Sequence, residues 1–211
     1  MKRAASLLML AAKAHWRIAL LPVLFAYCVL PSAGLAARSE TQATATVSFA
    51  AQLLLPFGAV LWGMSYLQIW IDSAGEEALL ACSKGRTRIV ELVLLSLFFL
   101  GLVFPAYLLL AARFSLPFTE FLRLTIQTLI LMGLLYGSSV AAHSASLGGM
   151  LPIGWLLFSA LFTRDESFAA FCIIKAGIVS YVPELRDYAP FVGIAVIGWG
   201  IGWIIERKRT I

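Results

Sequence analysis

Six stretches of this chain are each long and apolar enough to cross a bilayer as a helix, and that feature decides the fold class. The hydrocarbon core takes about 20 consecutive apolar residues in helical form. The runs fall at roughly 18–37, 48–71, 89–112, 121–142, 146–163 and 189–206. Within 211 residues they leave no room for a sizeable soluble domain. The chain is 61% hydrophobic and 13% charged, where soluble domains are roughly 45–50% apolar and about 25% charged. The expected architecture is an all-α integral membrane protein. Residues 1–17 form an interfacial segment and residues 18–211 a single six-span domain. The fourth and fifth runs, joined by the tight "AHSASLGG", form a helical hairpin.

Basic residues set the orientation. Six spans put both termini on one side, together with the loop between spans two and three. That side holds Lys2, Arg3, Lys13, Arg17, Lys84, Arg86, Arg88, Arg207, Lys208 and Arg209, against Asp72, Glu76, Glu77, Glu91 and Glu206. The other side holds Arg38, Arg113, Arg123, Arg164, Lys175 and Arg186, balanced by Glu40, Glu120, Asp165, Glu166, Glu184 and Asp187. The whole formal charge of +5 thus lies on the side with the termini, which reads as cytoplasmic. The cell inner membrane of a bacterium is the expected location. A basic pI of about 9.3 is then explained without nucleic acid. The terminal "ERKRTI" reads as an anchor beside anionic lipid headgroups.

At the N-terminus, "MKRAASLLMLAAKAHWR" places Lys2, Ser6, Lys13 and Arg17 within about 60° of one another at 100° per residue. Such a helix lies in the membrane interface with its polar face to the cytoplasm. The rival reading is a cleaved signal peptide. Lys13 interrupts the apolar run and the first span follows at once, which weighs against it.

Residues 71–91, "IDSAGEEALLACSKGRTRIVE", carry an ordered set of charges between two apolar runs. Asp72, Glu76 and Glu77 stand at the front, and Lys84, Arg86 and Arg88 at the back. Ser73 and Glu76 fit a capping box, and Gly85 fits a helix stop. About 11 residues lie between, some 16 Å of helix, with charges that complement the helix dipole. The expectation is a short cytoplasmic helix tied to spans two and three. It reads either as a well-capped loop or as a handle that a soluble partner grips. Between spans five and six, residues 168–182 are apolar, contain Lys175 and are too short to cross. They read as a re-entrant segment on the outer side, or as a loop helix packed on the bundle.

These features together resemble the membrane subunits of type-2 ABC transporters, the exporter permeases with the type V fold. The order is interfacial helix, span, outer loop, span, short acidic-then-basic helix, three spans, outer half-helices, span. In that family the segment after span two often reads Asp or Glu, Gly, Glu, Leu-Leu, then Arg. Here it stands as Asp72, Gly75, Glu76, Glu77, Leu79, Leu80, Lys84 and Arg86. The resemblance implies that these residues form a coupling helix docking on an ATPase subunit, with residues 1–17 beside it. It further implies outer re-entrant helices over 164–187 and a second permease copy, identical or not. ATP and Mg would bind the partner ATPase, and no cofactor would bind this chain. The small size departs from many family members, which carry larger outer loops.

The chain is not expected to be an enzyme. It contains no G-x-x-x-x-G-K-[ST] phosphate loop. Cys28, Cys82 and Cys172 fit no metal or redox spacing. His15 and His143 are too few for a His-based cluster. Ser139 and His143 are four apart on one helix, but a hydrolase also needs oxyanion donors. Glu91, Arg113 and Arg123 are read as lying at span ends, where long side chains reach out to the interface. Aromatic residues in the spans, Phe57, Trp62, Tyr66, Tyr136, Trp155 and Trp199 among them, are candidates for a cargo path. They suit an amphipathic or apolar cargo such as a lipid, peptide or drug. Aromatic residues in spans also serve as packing and interface anchors. Two alternatives stand: the vitamin-capturing membrane subunit of an energy-coupling-factor importer, which has no need of the 72–88 helix, and an accessory membrane subunit.

Overall fold

The computed structural model of the chain describes residue 20 and residues 22–72, 88–175, 177–178 and 182–209. Among them the fold is entirely helical. Helix α1 runs Pro22–Leu35 and contains a π turn at Phe25–Val29. It is followed by α2 (Glu40–Ile71), α3 (Ile89–Phe114), α4 (Phe118–Ala142), α5 (Ala145–Phe162), a 3-10 turn (Val182–Tyr188) and α6 (Ala189–Arg209).

Helices α2 to α6 are each long and apolar enough to cross a membrane, as an integral membrane protein requires. Of the six expected spans, five are thus present as long helices. The first, 18–37, is described only from residue 20 and yields the shorter apolar helix α1. The interfacial helix expected at 1–17 lies outside the described residues, as does nearly all of the helix expected over 72–88.

Helix α2 begins eight residues before its apolar run. Capping chemistry explains the difference. Ser39 is extended and its hydroxyl accepts from the Gln42 N–H at 3.2 Å, and Glu40 sits at the positive end of the dipole. The polar "ETQATATV" therefore continues the helix beyond the hydrophobic stretch. Only His143 and Ser144 separate α4 from α5. His143 adopts the left-handed conformation that ends α4, at φ 54°, and the Ser144 hydroxyl caps α5 through the Leu147 N–H.

Helix α4 is the centre of the bundle. Its apolar window is 67% buried, against 28% for the last span. It packs on α2, α3, α5 and α6. The close approach to α6 depends on "GLLYG", residues 133–137. A Cβ at Gly198 would stand 2.6 Å from the Gly133 carbonyl oxygen, and one at Gly137 would stand 2.5 Å from that of Gly198. Small residues four apart let helix backbones touch. Two apolar cores result. One joins α4 and the lower half of α2 with α5 and α6; the other joins the upper half of α2 with α1 and α3.

Between α5 and the 3-10 turn, the described backbone makes turns rather than α-helix. Cys172, Ile173 and Ile174 have no exposed surface. This stretch is folded back against the bundle, and its polar groups find side-chain partners there.

Candidate functional site

The segment singled out by its charges leaves α2 at Asp72 and rejoins α3 at Arg88. Both ends are held by charged groups to other helices. Asp72 closes α2, its N–H donating to the Gln68 carbonyl. Its carboxylate accepts from the N–H of Ala145 at 3.3 and 3.4 Å. Ala145 is the first residue of α5, so the acid sits at the positive end of that dipole. One turn earlier, the Gln68 side chain donates to the Ser146 hydroxyl at 3.2 Å.

Arg88 makes the stronger clamp. Its Nε lies 2.9 Å from Glu206 Oε1 in α6, and both side chains are almost fully buried. The Arg88 backbone N–H also donates to Glu206, at 3.2 Å. The guanidinium lies 4.7 Å from the ring centre of Trp70 in α2, a cation–π contact. Tyr136 of α4 donates its hydroxyl to the same Glu206 carboxylate. Tyr66 of α2 donates to Glu91 in the first turn of α3. The ends of the 73–87 segment are therefore fastened to α2, α4, α5 and α6. Of the coupling residues predicted from sequence, Asp72 is in this arrangement. Gly75, Glu76, Glu77, Leu79, Leu80, Lys84 and Arg86 lie outside the described residues.

A second polar cluster lies at the opposite end of the bundle. Arg123 and Glu120 of α4 form a buried ion pair one turn apart. Ser48 of α2 donates to Glu120 at 2.9 Å and accepts from Arg123 at 2.9 Å. Arg123 also donates to the Gly177 carbonyl at 3.1 Å. One turn further in, Gln52 grips the Lys175 backbone at both groups, accepting from its N–H at 3.1 Å and donating to its carbonyl at 3.3 Å. Gln127 donates to the Ile173 carbonyl at 2.8 Å, and Ser159 accepts from the Ile173 N–H at 2.9 Å. Thr163 takes the Ile174 carbonyl at 2.9 Å. Irregular backbone inside an apolar bundle needs such partners, because an unmet amide or carbonyl is costly there.

These residues correct one expectation. Arg123 does not reach out to an interface: it has no exposed surface, and Glu120 has almost none. The ion pair within α4 and the hydrogen bonds to Ser48 and the Gly177 carbonyl, not depth along the helix, decide where the charge ends. The signal was present as spacing. Glu120, Arg123 and Gln127 lie on one face of α4, as do Ser48 and Gln52 of α2. Glu206 was read as part of a basic anchor, yet it is buried against Arg88.

The six candidate cargo-path aromatics occupy separate places within the chain. Trp62 packs between Phe98 and Phe99 of α3, 6.1 and 5.5 Å away. Phe57 is half-buried against the α2–α4 core. Tyr66 and Tyr136 are buried with the carboxylate partners described above. Trp199 lies 5.5 Å from Tyr136. Trp155 donates to the Phe171 carbonyl at 2.8 Å and packs 5.3 Å from Phe191. Ser139 is fully buried and its hydroxyl has no hydrogen-bond partner, while His143 is exposed. The two therefore form no nucleophile–base pair. Among the described residues, no three His, Cys, Asp or Glu side chains converge to hold a metal.

No protein-family model matches the chain, and no curated protein sequence or solved structure matches it.

Proposed function

We propose that this chain is the permease subunit of a type-2 ABC transporter in a bacterial inner membrane, with both termini cytoplasmic. Residues 73–87 dock on a separate ATPase subunit, which binds ATP and Mg, and a second permease copy completes the pathway. The cargo is amphipathic or apolar, and the direction is export.

The observation that carries this reading is the double clamp at Asp72 and Arg88. A docking segment transmits force only if its ends are fixed to the parts that must move. Here Asp72 holds the start of α5, and Arg88 holds α6 through Glu206 and α2 through Trp70. A displacement of the segment is thereby shared by helices that are far apart in sequence. A simple connecting loop has no need of a buried ion pair at one end and a carboxylate held on another helix at the other. The charge order within 72–88 and the backbone gripped between α5 and α6 agree with the same layout.

The test uses the native Cys82. Cross-linking from Cys82 in native membranes, with Cys82→Ser as control, is expected to capture an ATP-binding subunit identifiable by mass spectrometry. A reactive Cys82 that yields no ATPase adduct overturns the proposal in favour of an accessory or substrate-capturing subunit.

A further inference from the structure

An apolar groove of about 350 Å³ runs between α1 and α3. Ala26, Tyr27, Pro31 and Leu35 form one wall, and Ala106, Leu109, Leu110, Arg113 and Phe114 form the other. At one end it opens into a polar pocket of about 220 Å³ that shares Leu35, Arg113 and Phe114. That mouth also holds Arg38, Ser39 and Glu40. We infer that this groove is a binding site for one anionic phospholipid, its acyl chain between α1 and α3 and its phosphate between Arg38 and Arg113. The inference is independent of the transporter reading.

Three observations carry it. The first is charge. Arg38 and Arg113 are exposed, and among the described residues neither has an ion-pair partner. Glu40 is the single acid in the mouth, and the first turn of α2 adds its positive dipole end. The mouth is therefore net positive and suits a phosphate, which two guanidinium groups bind through charge-assisted hydrogen bonds.

The second is depth. Arg113 lies 24 residues from Ile89, about 36 Å along α3 at 1.5 Å per residue. The hydrocarbon core is about 30 Å thick, and the headgroup layers extend the bilayer to about 40–45 Å. With Ile89 at one face, Arg113 falls in the headgroup layer of the other. The apolar wall from Arg113 back to Ala106 is about 10 Å long and points into the hydrocarbon.

The third is shape. The small residues Ala26 and Ala106 face the groove floor, and a π turn widens α1 at Phe25–Val29. Tyr27 donates to the Leu102 carbonyl at 3.1 Å, tying α1 to α3. The rim residues Leu35 and Leu109 are 66% and 67% exposed, so a chain lying there covers apolar surface that the protein leaves open.

Purified full-length protein in mild detergent is to be titrated with dioleoyl phosphatidylglycerol and, separately, dioleoyl phosphatidylcholine, with bound lipid counted by native mass spectrometry. One phosphatidylglycerol is expected to bind at least about tenfold more tightly than phosphatidylcholine, the worth of one charged contact. Arg38→Ala with Arg113→Ala should remove that preference, while Arg38→Lys with Arg113→Lys retains most of it. Leu35→Trp, at an exposed position, should fill the groove and weaken binding with both arginines present. Equal binding of the two lipids, or a preference unchanged in the double alanine variant, overturns the site. So does binding of soluble glycerol phosphate as tight as that of the lipid, since the groove would then contribute nothing. A second copy of the chain covering the groove, seen as a Leu35→Cys disulfide dimer that excludes phosphatidylglycerol, overturns it equally.

Discussion

Arg123 shows how a charge is kept inside an apolar bundle. Its guanidinium meets Glu120, the Ser48 hydroxyl and the Gly177 carbonyl, with no surface left to solvent. The Coulomb attraction of a buried pair roughly offsets the desolvation of its members, but removing one partner strands the other. Arg123→Ala should therefore cost about 3–5 kcal/mol in detergent unfolding. Arg123→Met combined with Glu120→Gln should recover most of that loss. A double variant as unstable as the single one would show that Arg123 is needed for its hydrogen bond to the Gly177 carbonyl, not for charge balance. This pair was only partly legible in the sequence. The spacing of Glu120, Arg123 and Gln127 marks a shared face, but Ser48 and Gly177 come from distant parts of the chain. Glu206 was less legible still, because its neighbours Arg207, Lys208 and Arg209 mimic a surface tail.

Among the elements, α6 depends most on close backbone contact, since it packs mainly on α4. Gly198 has no room for a side chain beside Gly133, whereas nothing lies within 4 Å of a Cβ at Gly200. Gly198→Leu should wedge the helices apart and lower the thermal midpoint, with Gly200→Leu close to wild type. Equal effects at both positions would mean that backbone entropy alone is responsible. The folded-back 163–175 stretch makes a different prediction. Its groups are gripped by Gln52, Gln127, Ser159 and Thr163. In a Cys28→Ser, Cys82→Ser background, Gln52→Ala with Gln127→Ala should raise maleimide labelling of Cys172 several-fold. Unchanged labelling would assign the hold to apolar packing of Ile173 and Ile174.

For the molecule as a whole, Asp72 and Arg88 tie the two sides of residues 73–87 to the bundle. Asp72 is exposed, and its link to Ala145 is an acid at a helix N-terminus, worth about 0.3–1 kcal/mol. Asp72→Asn should thus leave stability within about 1 kcal/mol of wild type. If the coupling proposal holds, the same change should reduce stimulation of the partner ATPase in proteoliposomes. Full stimulation would shift the mechanical role to Arg88 with its partners Glu206 and Trp70. Five long helices and their approximate ends were readable from sequence, because crossing a bilayer is a condition on length and hydropathy along one helix. The hairpin of α4 and α5 was readable for a similar reason, since the tight "AHSASLGG" leaves the chain no other course. The tertiary structure alone decided which helix is central, that Glu206 pairs with Arg88, and that Gln52 and Gln127 hold the backbone before α6. Those outcomes depend on which faces meet across helices distant in sequence, and apolar helices of similar composition carry almost no record of that in hydropathy.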